Sequence, residues 1–373
     1  MKVALVHDYL REYGGAERVL EVLHEIWPDA PIFTAYLNLD AMGENGKRFA
    51  SWDIRPSWFQ KFPFANKLLS PFRIFGPMMF ESFDLSEYDL VISSSSATHL
   101  AKAVITKPET LHISYIHTPP RFLYGYVTSF NYKKHWWTRI GGEIINHFMR
   151  IYDFEVSQRP DILVANSKNV AARIKKFYRR DSVVIYPPVE IKKVTGYRGQ
   201  GTGEYYISVG RLVRGKGLDV IVQACDELGL FLKIVGSGPE LQNLKSLIVN
   251  HKSNIEFLGQ VSDEELAKLY AGAKATIVAS EDEDFGIVPV ESMACGTPVI
   301  AVKAGGFLET VIEGKTGEYF NNATVVELMK VLEKFDPKKY QVEDCRKQAQ
   351  RFSKERFKKE ILELVEENIH EKS

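Results

Sequence analysis

The chain has 373 residues, with 48 Lys plus Arg against 48 Asp plus Glu, 45% hydrophobic residues and 12% aromatics. That length exceeds one compact core and suits two domains. The balanced charge removes the overall basic field that duplex nucleic acid requires, so nucleic acid is not an expected partner.

Residues Met1 to Val6 run straight into His7 and Asp8, which leaves no apolar stretch long enough for a signal peptide. No run reaches the roughly 18 apolar residues of a membrane span. Cys225, Cys295 and Cys345 are odd in number, far apart and without metal-like spacing. The expectation is a soluble cytosolic protein in a reducing compartment.

Short apolar runs at Lys2 to His7, Pro31 to Ala35, Asp89 to Ser93, Leu111 to Ile116, Asp161 to Ala165 and Val183 to Tyr186 read as strands. Helical patterns such as Ala16 to Ile26 and Ile140 to Ser157 lie between them. This alternation predicts a parallel sheet with helical crossovers. Residues Lys47 to Phe80 stand apart, with six basic residues against one acid, interleaved with nine aromatics. Such a composition suits an anionic membrane surface; the other reading is a helical insert that packs its aromatics inward. His135, Trp136 and Trp137 add a second aromatic cluster.

Pro187 and Pro188 close this half, and a glycine-rich stretch from Gly196 to Gly203 permits a hinge. The pattern then restarts, with strand-like runs at Tyr205 to Val209, Phe231 to Val235, Ile255 to Leu258, Ala275 to Ala279 and Pro298 to Ala301. The predicted domains are 1–188 and 189–351, with a charged C-terminal helix over 352–373 that returns to the first. Phe352, Phe357, Ile361 and Leu364 are spaced to face one side of it.

The strongest motif is EDFGIVPVE from Glu283 to Glu291, followed by SMACGTPVIA. An acidic loop leaves a strand, Phe285 and Gly286 turn, and a helix starts near Ile287. A helix start offers unpaired amides and a positive dipole end to an anion. Glu283 lies just before this turn and Glu291 about one helical turn inside the helix, so both carboxylates could accept hydrogen bonds from the vicinal hydroxyls of a sugar or ribose at its mouth. The second motif, GRLVRGKG from Gly210 to Gly217, puts Arg211 and Lys216 over a strand end, charges suited to a diphosphate.

Together these strings resemble the E-x7-E and GR-x-x-x-x-KG motifs of the retaining GT-B glycosyltransferases of family four. The resemblance implies an α/β fold of GT-B type, two Rossmann-like domains facing across a central cleft. It implies retention of anomeric configuration without an enzymic nucleophile, and no catalytic metal, so Asp282, Glu283 and Asp284 are not read as a metal triplet. It assigns catalytic roles to Glu283, His117, Arg211 and Lys216. Donor contacts go to Gly15, Gly210, Gly236, Gly259, Val261, Phe285, Gly286, Ile287, Val288, Glu291 and Gly306, besides Arg211, Lys216 and Glu283. Asp8, Tyr9, Gly14 and Tyr124 are the expected acceptor contacts.

The strings HDYL, GGAERV, HTPPRFLY and KAGGFLET are most similar to those of bacterial α-mannosyltransferases that use GDP-mannose to build lipid-linked polysaccharide. UDP-glucose or another UDP-hexose is the alternative donor. A nucleotide-sugar epimerase and a catalytically silent nucleotide-sugar-binding subunit are the rival readings.

Overall fold

The computed structural model describes residues 1–68, 74–96, 100–126, 136–191, 203–249, 254–370 and 372. Most of the glycine-rich stretch expected as a hinge lies outside the described residues, as do Phe72, Arg73 and His135. The chain divides into two compact units: one contains Met1–Tyr126, 136–188 and Glu355–Ser373, the other Val189–Lys354.

The first unit is a seven-stranded parallel sheet. Its strands are β1 (Val3–His7), β2 (Ile32–Thr34), β3 (Ile54–Pro56), β4 (Leu90–Ser95), β5 (Leu111–Ile116), β6 (Ile162–Ala165) and β7 (Val183–Val184). They are ordered β3-β2-β1-β4-β5-β6-β7. All five residues of β1 are buried because helices cover both faces. Side chains alternate across the pleat. Val3 and Leu5 enter the cluster with Val19, Leu20 and Leu23, whereas Ala4 and Val6 enter the opposite one with Met79, Phe80 and Val156.

The C-terminal helix Lys354–Ile369 belongs to this unit. Phe357, Ile361, Leu364 and Val365 stack along one stripe into the cluster around Leu5 and Tyr115. Each such side chain contributes about 1.5–3 kcal/mol on full burial. Phe352 lies in the second unit and packs on Phe285, ring centroids 5.3 Å apart.

The second unit repeats the plan with six parallel strands. These are β8 (Tyr205–Val209), β9 (Phe231–Val235), β10 (Asn254–Gly259), β11 (Thr276–Val278), β12 (Val299–Val302) and β13 (Gly317–Phe320), ordered β10-β9-β8-β11-β12-β13. In each sheet the order reverses beside the first strand, at β1/β4 and β8/β11. Such switch points open a crevice beyond the carboxyl ends of the strands, where ligands of open α/β sheets bind.

Two strands, β3 and β13, were not expected from the sequence. Both are edge strands: β3 carries Pro56, and β13 reads Gly-Glu-Tyr-Phe, so neither shows an apolar run. Phe49, Phe59 and Phe80 are core residues, while Trp58, Phe62, Phe64 and Phe75 are exposed.

Candidate functional site

In the second unit three glycines end three neighbouring strands. The Gly210 amide donates to the Val235 carbonyl at 3.0 Å, and the Gly236 amide to the Gly259 carbonyl at 2.7 Å. The ends of β8, β9 and β10 are thereby held level, with Gly210, Gly236 and Gly259 in one row. Arg211 follows on the surface and Lys216 is partly buried. The helix Leu218–Glu227 then starts at Gly217.

Across the switch point, β11 runs into the acidic loop and the helix Ile287–Ala294. Gly286 caps that helix with φ +92°, a left-handed conformation that a side chain disfavours. Ile287 and Val288 head the helix, where amides have no intrahelical partner, and Pro289 fits the first turn because it has no N–H to satisfy. The Lys216 ammonium donates to Glu283 Oε2 at 2.8 Å. The two motifs, 67 residues apart, therefore converge on one ion pair. Glu291, one turn further in, accepts from the Tyr270 hydroxyl at 3.2 Å.

The acidic loop is braced from behind. The Gly306 amide donates to the Glu283 carbonyl at 2.9 Å. A Cβ on Gly306 would lie 2.4 Å from Phe285 Cα, so only glycine lets the two backbones touch. Phe285 is itself buried. The Gly306 amide thus ties down the Glu283 backbone.

In the first unit the end of β1 meets the ends of β4 and β5. Asp8 is wholly buried, and its carboxylate accepts from the Ser96 amide at 2.9 Å, the Ser96 hydroxyl at 3.0 Å and the Ala101 amide at 2.8 Å. Its oxygens thus receive hydrogen bonds from both Ser96 and Ala101, two residues that follow β4. Tyr9 donates to Glu12. The Gly14 amide donates to Glu17 Oε2 at 2.8 Å and starts the helix Gly15–Ile26. The Tyr124 hydroxyl donates to Asp153 Oδ2 at 2.7 Å while its ring stacks on Phe177 at 4.0 Å.

His117 follows β5 and bonds Ser94 Oγ through Nε2 at 2.9 Å. Burial first, and the neighbouring His7 second, push its pKa down to about 3. His112 on β5 is fully buried, and burial pushes it down to about 4; Asp161 opposes the shift, and Arg180 and Arg159 add to it. Its Nδ1 has no partner, so an imidazolium would strand a donor there. Because the folded pKa lies below the unfolded value of about 6.5, the unfolded state binds more protons between those limits. Stability is complete above pH 6.5 and falls as the pH drops toward 4. Lowering the pH from 7 to 5 is expected to cost about 2 kcal/mol through His112. Urea titrations of wild type and His112→Gln check this: the variant should lose correspondingly less, and equal losses would remove His112 as the source.

Comparison with known proteins bears on the second unit first. Residues 196–352 match the model of the family "Glycosyl transferases group 1". An uncharacterized glycosyltransferase of Methanocaldococcus jannaschii is 32% identical over 158 residues, 42% of this chain and 44% of that one. A D-inositol 3-phosphate glycosyltransferase of Mycobacteroides abscessus is 31% identical over 183 residues, 44% of this chain and 41% of that one. The chain thus spans less than half the length of these curated relatives.

Solved structures extend the likeness to the whole chain. Anabaena HepE in complex with UDP and glucose has a TM-score of 0.70 over 98% of this chain and 99% of its own, at 21% identity. Sucrose-phosphate synthase of Thermosynechococcus elongatus scores 0.73 over 98% and 99%, at 19% identity. At these identities the likeness establishes a shared fold, the two-sheet architecture of GT-B glycosyltransferases.

Several structural partners escaped the sequence reading. Glu17, His7 and Ser94 connect to His117, and Lys102 and Asp153 form a buried pair at 2.6 Å behind Tyr124. The one available signal was polar residues placed inside otherwise apolar runs, such as Lys102 between two alanines and Ser93 to Ser95 at the end of β4.

Proposed function

We propose that the protein is a retaining hexosyltransferase that uses a nucleotide sugar. The observation that carries this reading is the Lys216–Glu283 pair beside the start of the helix Ile287–Ala294. A departing diphosphate needs a cation and amides, and Lys216, Arg211 and the helix start supply them. Glu283 and Glu291 are acceptors for hydroxyls of the sugar and ribose. Gly236, Gly259 and Val261 are assigned to the nucleoside, and Gly210 to the donor beside Arg211. Gly14, Gly15, Tyr9 and Tyr124 are assigned to the mouth of the first unit, and His117 to the sugar.

The donor we favour is GDP-mannose and the acceptor a lipid-linked or polysaccharide glycan, on the strength of the HDYL, GGAERV and HTPPRFLY strings. A UDP-hexose is the second reading, favoured by the UDP and glucose bound to HepE. Among the described residues no helix is long and apolar enough to cross a membrane. The exposed Trp58, Phe62 and Phe64, with Lys61 among them, support docking on an anionic bilayer surface. Ile144, Ile145, Phe148 and Ile151 form a further exposed stripe on the helix Trp136–Val156, which packs on the same core cluster as Phe59 and Phe80.

One experiment tests these points together. The protein is incubated with GDP-mannose or UDP-glucose and a polyprenyl-phosphate-linked glycan in anionic vesicles, and the vesicles are then sedimented. The expected result is an α-linked mannosyl product, formed only with acceptor, and protein recovered with the vesicles. Reaction with UDP-glucose alone would replace the donor, a β-linked product would end the retaining reading, and no product with either donor would end the transferase reading. Protein left wholly in the supernatant would exclude the bilayer.

A further inference from the structure

Behind His117 lies a continuous line of buried polar groups. The Gly14 amide donates to Glu17 Oε2 at 2.8 Å, and Glu17 Oε1 lies 3.5 Å from His7 Nε2. His7 Nδ1 is 3.1 Å from Ser94 Oγ, and Ser94 Oγ is 2.9 Å from His117 Nε2. Glu17 is 5% exposed, and His7 and Ser94 are fully buried, so water is not on hand to satisfy these atoms. The chain therefore has to satisfy itself.

With Glu17 ionised and His7 neutral, proton bookkeeping gives this chain one direction. A backbone amide can only donate, and an ionised carboxylate can only accept. Glu17 consequently receives hydrogens from both Gly14 and His7, which puts the His7 proton on Nε2. A neutral His7 then offers a lone pair at Nδ1, and Ser94 spends its single hydrogen there. The Ser94 oxygen is left to accept from His117 Nε2. His117 must carry its own proton on Nε2, with the lone pair on Nδ1. With a neutral His7 the opposite direction would aim the Nε2 lone pair at the Glu17 carboxylate, which is repulsive; only a second proton on His7 would reverse the chain.

We infer that Glu17, His7 and Ser94 are positioning residues that lock His117 into its Nε2–H tautomer, so that Nδ1 is presented as an acceptor for a hydroxyl of the bound sugar. The second half of that statement rests on the assignment of His117 to the sugar made above. A neutral nitrogen with its lone pair outward accepts an O–H and repels a phosphate oxygen. His117 therefore suits a hydroxyl of the hexose ring rather than a phosphate. The chain also explains why the helix Gly15–Ile26 starts where it does, since the same carboxylate that orients His7 holds the Gly14 amide.

The test reads tautomers directly. Protein labelled with 15N-histidine is studied at pH 7 by long-range nitrogen–proton correlation, with His117 and His7 assigned from the His117→Gln and His7→Gln variants. The expected result is a protonated Nε2 and an unprotonated Nδ1 on His117. Ser94→Ala should replace that single tautomer by a mixture, with the circular dichroism spectrum unchanged. Glu17→Gln should favour the opposite tautomer, because an amide can turn its NH2 toward His7. A wild-type His117 protonated at Nδ1, a doubly protonated His7, or a His117 tautomer unchanged in Ser94→Ala would overturn the chain. GDP-mannose and UDP-glucose are then added in turn, and one of them should shift the His117 Nδ1 resonance. If neither does while the tautomer is as expected, the sugar assignment of His117 fails and the locking chain stands.

Discussion

Lys216→Ala is expected to lower kcat/KM by about two to three decades while leaving the protein folded. The two halves of that statement have different sources. Lys216 is partly exposed, and its ion pair with Glu283 sits at the surface of the second unit. Such pairs contribute about 0–1 kcal/mol to folding, because solvent screens them and two side chains must be ordered. A fixed cation on a leaving group is worth about 3–4 kcal/mol in the transition state, since charge develops there in a pre-arranged setting. The loss should therefore appear in transfer rate and in donor affinity by calorimetry, with a shift of less than about 1 kcal/mol in urea unfolding. Lys216→Arg should recover only part of the activity, because a planar fork cannot replace a compact ammonium whose partner is a single carboxylate oxygen at 2.8 Å. Full activity in Lys216→Ala would remove the residue from the diphosphate.

The same pair shows why some of the site was legible in the sequence and some was not. Strand ends and helix starts are local events, so GRLVRGKG and EDFGIVPVE each announce a turn, a helix start and a charge within about nine residues. The apolar runs of β1, β4, β5, β8 and β9 are local too. What brings Lys216 to Glu283 is the β8/β11 switch point, and no spacing along the chain states that. The same holds for Ser94 between His7 and His117, which needs β1 beside β4 and β4 beside β5. Gly306 is a further case: glycine reads as a turn, yet its missing side chain is required by contact with Asp284 and Phe285. Asp8 reads as an acceptor contact at a strand end, and no spacing along the chain states that its carboxylate receives three hydrogen bonds from Ser96 and Ala101.

Asp153→Ala is expected to destabilise the first unit by about 3–5 kcal/mol, which is large against the marginal stability of a domain. Asp153 is fully buried in the helix Trp136–Val156, and the Lys102 ammonium, 1% exposed, meets it at 2.6 Å. The Tyr124 and Tyr178 hydroxyls also donate to this carboxylate, at 2.7 and 3.3 Å. Removing it leaves the buried Lys102 ammonium with the Tyr178 hydroxyl, at 3.1 Å, but no counter-charge, and a buried charge without a counter-charge is the costly half of any internal ion pair. The double variant Lys102→Met with Asp153→Leu has no charge to strand and should lie nearer to wild type than Asp153→Ala, with a coupling energy of a few kcal/mol in the cycle. Urea unfolding of the four proteins measures this directly. A loss below about 1 kcal/mol for Asp153→Ala, or a double variant worse than both singles, would show that the pair does not anchor the segment carrying Tyr124. With the carboxylate gone, the Tyr124 hydroxyl loses its acceptor, so under the proposed acceptor role of Tyr124 the acceptor KM should rise in the double variant even where stability is restored.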